Sequence, residues 1–158
     1  MESQKVEATA QALVAAGKGI LAADESGPTI EKRFKIIGVT STEENRRAYR
    51  EMLFTTPGLG EFISGVILFD ETLRQTTTDG APFVEALKRQ GIIPGIKVDK
   101  SAKALAGFPG DKITEGLDGL GERLGEYAKL GARFTKWRAS VQIFRAALAP
   151  IDAPVREF

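Results

Sequence analysis

Residues 91–100 read GIIPGIKVDK. Taken as a strand, their side chains alternate between two faces. Ile92, Ile96 and Val98 share one face, and Gly95, Lys97 and Asp99 share the other. Parallel strands are usually apolar on both sides because helices cover them. A lysine and a carboxylate two residues apart, roughly 7 Å along one face, therefore mark a polar pocket or a solvated edge. Where charges gather at the C-terminal end of such a strand, α/β proteins place their sites.

The surrounding runs extend this pattern. Residues 19–26, GILAADES, form a short apolar strand that ends in Asp24. A carboxylate leaving a strand is commonly a helix cap, so Asp24 has both a structural and a catalytic reading. Residues 62–69, FISGVILF, form a continuous apolar run bounded by turns, as expected of a strand buried on both faces. Residues 132–143, ARFTKWRASVQI, put Phe134, Lys136, Arg138 and Ser140 on one face and Trp137, Ala139, Val141 and Ile143 on the other. Helical patterns lie between these runs. They cover Glu7 to Ala16, Thr29 to Phe34, Thr42 (as N-cap) to Phe54, a turn at Glu71 to Gln75, Pro82 to Gln90, and Leu117 to Leu130. Arg46, Arg47 and Arg50 read as a solvated or ion-paired face of the third helix. Residues 101–116, with Gly107, Pro109 and Gly110, read as a long loop.

Strands that alternate with helices predict an α/β fold with parallel strands near 19–24, 62–69, 92–99 and 133–142. Charge on the first, third and fourth of them converges at one end, as in a β/α barrel. The spacing of GKG at Gly17–Gly19 is not that of a P-loop, and no GxGxxG follows the first strand.

The 158 residues are 42% hydrophobic and 27% charged, within the range of one globular domain. A net charge of +1 gives no electrostatic reason to expect nucleic acid or membrane as a partner. Cysteine and histidine are both absent, which removes thiolate chemistry, the commonest general base and the commonest metal ligand. Chemistry must then rest on lysine, carboxylate, tyrosine or hydroxyl groups, with no metal and no cofactor expected. No apolar run approaches a membrane span, and the first residues lack a secretory core, so a cytoplasmic protein is expected.

The motifs GKGILAADES, KRF, EENRRAYREMLFTTPGLGEFISGVILFDETL, TTDGAPF, GIIPGIKVDK, GLDGLGERLGEY and GARFTKWR resemble class I, Schiff-base fructose-1,6-bisphosphate aldolase from about Gly17 to about Ile143. The resemblance implies the first four units of a (β/α)8 barrel over 1–143. It also implies metal-free cleavage of fructose 1,6-bisphosphate into two triose phosphates in glycolysis. It gives Asp24 the place of the family's active-site aspartate, which assists proton transfer at the C4 hydroxyl. Lys136 takes the place of the active-site lysine beside the Schiff-base lysine. Ser26, Thr29 and Arg33 fall at phosphate-side positions, and Lys97 and Arg138 at positive groups that bind a substrate phosphate.

The chain departs from the family in three places. AADESGPT differs from the common AADEST form. The tail from Phe144, FRAALAPIDAPVREF, carries no matching motif. The Schiff-base lysine belongs to a later strand. Of Lys97, Lys100 and Lys136, none stands at the imine-forming position, and Lys136 is the best substitute. Little or no turnover is therefore expected of the 158-residue chain alone. Three readings remain open: an aldolase chain, a sugar-phosphate-binding module without turnover, and a half barrel that self-associates through unpaired edges. A homo-oligomer is expected.

Overall fold

The structure is a computed structural model that describes residues 2–139. Helix α1 (Glu2–Leu13) starts earlier than its alanine-rich pattern suggested. Strand β1 (Gly19–Ala23) follows and ends just before Asp24. In α2 (Gly27–Ile36), Pro28 occupies the first turn, where its missing N–H is no loss. Helix α3 (Glu43–Phe54) is capped by Thr42, whose hydroxyl accepts from the Asn45 backbone N–H at 3.1 Å. One-turn α4 (Leu59–Phe62) contains Phe62, which is 67% exposed and lies outside the buried strand β2 (Ile63–Leu68). Next come α5 (Asp70–Leu73), α6 (Phe83–Arg89) and β3 (Ile93–Lys97). The stretch read as a long loop instead carries a hairpin, β4 (Ala102–Ala104) paired antiparallel with β5 (Lys112–Thr114). Helix α7 (Leu120–Lys129) leads to β6 (Phe134–Lys136). Of the longer fourth strand expected here, residues 140–143 lie outside the described residues, as does the tail from Phe144.

The four strands β1, β2, β3 and β6 lie side by side in chain order, all parallel. Register puts Ala22, Ile67, Gly95 and Phe134 in one row across the sheet, with Lys97 opposite Lys136 two residues further on. Alternation sorts the residues into two faces. One face presents Ala23, Val66, Leu68, Ile92, Ile96 and Val98, all buried, to Phe54, Leu73, Phe83, Val84, Leu87 and Tyr127 from the helices. Phe54 meets Phe83 edge-on at 5.4 Å between ring centroids, a favoured aromatic geometry. Burying each such side chain contributes about 1.5–3 kcal/mol, so this layer anchors the strands.

The other face carries Ala22, Gly95 and Phe134 and then, toward the C-terminal ends, the charged groups. Gly95 is required there, because a Cβ at this position would overlap the Phe134 ring. At the start of β2, Ser64 ties the strand to the end of α1 through a hydrogen bond from its hydroxyl to Leu13 O at 2.6 Å. Val6 in α1 and Val14 just past its end are 70% and 77% exposed, so this apolar pattern makes little core.

Candidate active site

The charged face ends in a cluster assembled from β1, β3, β6 and α2. Asp24 emerges from β1 and is 8% exposed. It is not a helix cap, since Ser26 holds the N-cap position of α2. Lys136, at the end of β6, donates from Nζ to Asp24 Oδ2 at 2.6 Å. This contact joins the two outermost strands of the sheet. In a flat sheet, strands three steps apart would be ~14 Å apart. Both side chains rise from the same face, so their tips meet because the sheet curls toward it.

Lys97 Nζ donates to Asp99, both to its carboxylate and to its backbone oxygen at 2.8 Å. Asp99 also accepts from the backbone N–H of Ser101 and of Arg138, each at 3.1 Å. Ser101 reaches this position with φ of 76°, in the left-handed region. Burial pushes the Asp99 carboxyl up, but the Lys97 ammonium and the two backbone N–H donors outweigh it and hold the group below its ordinary range. Arg138 is thus fixed through its backbone, while its side chain is exposed.

At the start of α2 the hydroxyls of Ser26 and Thr29 stand 3.1 Å apart. Arg33, one turn further on, pairs with Glu25. Glu25 also lies 2.8 Å from Arg50, which extends from α3 and is almost wholly buried. Burial pushes the Arg50 guanidinium down, against the pull of Glu25. Asp24, Ser26, Thr29, Arg33, Lys97, Lys136 and Arg138 all line one cleft of about 300 Å³. A larger hollow of about 670 Å³ beside α3 and α6 has Glu51 in its wall, but Thr78 and Arg47 already hold that carboxylate.

Asp99 was read from the sequence as an inward charge beside Lys97 but was given no role, and Glu25, Arg50 and Ser101 were not singled out as site residues. For Arg50 a signal existed: it stands four residues before Phe54, so the two share the inward stripe of α3. Arg46 and Arg47 are ion-paired as read, with Glu71 and with Glu44 and Glu51. Arg50 departs from that reading because its position on the helix turns it into the core.

The family model "Fructose-bisphosphate aldolase class-I" matches residues 5–155. The chain belongs to the class I fructose-bisphosphate aldolases. The matched range begins before Gly17 and continues past Ile143, into the stretch where motifs alone showed no likeness. The chain is 62% identical over 143 residues to a probable fructose-bisphosphate aldolase class 1 of Xanthomonas campestris pv. campestris, covering 90% of this chain and 43% of that protein. It is 56% identical over 149 residues to the cytosolic fructose-bisphosphate aldolase 5 of Arabidopsis thaliana, covering 94% and 41%. A crystal structure of fructose-bisphosphate aldolase from Plasmodium falciparum, in complex with TRAP and a small-molecule inhibitor, superposes with a TM-score of 0.88 at 54% identity. That match covers 95% of this chain and 43% of the other. The chain therefore spans less than half the length of these aldolases. Among the described residues, no helix is long and apolar enough to cross a membrane.

Proposed function

We propose that this chain supplies the substrate-holding and proton-handling side of a class I aldolase that cleaves fructose 1,6-bisphosphate to glyceraldehyde 3-phosphate and dihydroxyacetone phosphate. The Lys136–Asp24 contact carries the reading. It joins a carboxylate and an ammonium across a curled parallel sheet, with cations of the same cleft around them. That curl, the sequential strand order and the intervening helices support assigning the sheet to the first four units of a (β/α)8 barrel.

In this reading a phosphate group sits against the Ser26 and Thr29 hydroxyls at the N-terminus of α2, where the helix dipole favours an anion. Arg33 and Lys97 add charge-assisted hydrogen bonds, and Arg138 reaches the second phosphate. Asp24 accepts the proton of the C4 hydroxyl as the C3–C4 bond breaks. Lys136 orients that carboxylate and offsets its charge. The imine that makes the cleavage possible is formed by a lysine of the whole protein. Lys97 and Lys136 are each held as donors to carboxylates. Cytosolic relatives support a cytoplasmic protein, the family resemblance supports a place in glycolysis, and the unpaired edges of the sheet support a homo-oligomer.

Calorimetric titration with fructose 1,6-bisphosphate and with fructose tests the binding side. The bisphosphate is expected to bind and the free sugar not. Arg138→Ala should weaken bisphosphate binding about tenfold, the loss of one charge-assisted contact, while exposed Lys129→Ala leaves it unchanged. Equal affinity for the two sugars, or equal effects of the two substitutions, would overturn the assignment.

A further inference from the structure

Glu25 lies in the cleft wall between two arginines. Its side chain is 7% exposed, with Oε1 toward Arg33 and Oε2 toward Arg50. The arginines differ in freedom. Arg50 has a side chain only 3% exposed, and it also donates to the Glu25 backbone oxygen at 3.3 Å. It is a fixed countercharge. Arg33 has a side chain 58% exposed at the mouth of the cleft, so its guanidinium can leave Glu25 without disturbing the core.

A phosphate group entering the cleft competes with Glu25 for Arg33. The dianion carries more charge than a carboxylate and offers more acceptor oxygens, so it forms the stronger pair. When Arg33 leaves, Glu25 would be a buried, uncompensated carboxylate if it had no other partner, and that state is strongly disfavoured. Arg50 removes this obstacle. We propose that Glu25 is a positioning residue of the phosphate site: it holds Arg33 at the cleft edge while no anion is bound and releases it to an arriving phosphate group, with buried Arg50 keeping Glu25 compensated throughout. The proposal rests on the reading of Arg33 as a phosphate-side group.

A double-mutant cycle tests it. Inorganic phosphate and fructose 1,6-bisphosphate are titrated into the chain, Glu25→Gln, Arg33→Ala and the double variant, each first checked for folding by circular dichroism. Glu25→Gln removes the competitor and is expected to tighten phosphate binding several-fold. That gain should vanish in the Arg33→Ala background, because there is then no guanidinium to release. A purely structural role for Glu25 would weaken binding in both backgrounds. A general loss of negative charge would tighten it equally in both. Either result overturns the proposal. If Glu25→Gln does not fold, Glu25→Asp carries the same cycle, since it keeps the charge but shortens the reach to Arg33. No phosphate binding by the parent chain, or no loss on Arg33→Ala, overturns the phosphate reading and the proposal with it. An Arg33-dependent loss without coupling to position 25 overturns the proposal alone.

Discussion

Asp99 shows how one residue can set a cleft wall and an acid limit together. It collects the Lys97 ammonium and two backbone N–H groups, from the loop after β3 and from the end of β6. Its carboxyl is held below its ordinary value of 3.8 in the fold. A lowered folded value means the stabilisation is fully present above that ordinary value and is lost as pH falls through the lower, folded one. Thermal melts between pH 7 and pH 2.5 should therefore show a loss of Tm setting in below about pH 4. Asp99→Asn should flatten that limb and cost about 1–3 kcal/mol at pH 7, through its weakened hold on Lys97. An unchanged acid limb in Asp99→Asn would remove Asp99 as the cause. Period-two alternation put Lys97 and Asp99 on one face in the sequence. It could not reveal that they bond to each other, because a strand's pattern fixes the direction of a side chain and not the loop geometry beyond it.

At the scale of elements, the parallel strands were legible because the first two are short apolar runs between turn residues and the last two alternate a charged face with an apolar one. The β4–β5 hairpin was not. Its strands, Ala102–Ala104 and Lys112–Thr114, are three residues each, too short for their alternation to stand out, so Gly107, Pro109 and Gly110 dominated the reading. Among the described residues β6 ends at Lys136 although its pattern runs on, and just beyond it the Arg138 N–H turns to Asp99. The packing of Gly95 under Phe134 was also invisible, since a glycine in a strand does not say what approaches it. The contact has a measurable consequence. Gly95→Val should drive Phe134 off its neighbour strand, costing about 1–3 kcal/mol by overpacking. It should also weaken sugar-phosphate binding, because Lys136 lies two residues along the same strand. Denaturant melts showing stability equal to the parent chain would mean that the ring has room to move.

For the whole molecule, the decisive feature is that β1 and β6, at opposite edges of the sheet, bring Asp24 and Lys136 together. Charged residues on three separate strands suggested this convergence from the sequence. The curl that closes the gap depends on packing against the helices and is not written in any one strand. The same geometry limits what the chain can do by itself. An amine must offer a free lone pair to attack the C2 ketone of the sugar. In the cleft, Lys136 is spent on Asp24 and Lys97 on Asp99. Lys100 is exposed and lines the neighbouring hollow with Arg74 and Tyr127, outside the wall that holds Asp24. The 158-residue chain, assayed alone, is therefore expected to bind fructose 1,6-bisphosphate yet give little or no cleavage. Borohydride added with the sugar should leave its mass unchanged. Lys136→Ala should weaken binding, by removing the partner that orients Asp24, without changing the negative trapping result. An ordinary enzymatic rate, together with a trapped adduct that disappears in Lys136→Ala, would make Lys136 an imine former and reverse the roles proposed for it and for Asp24.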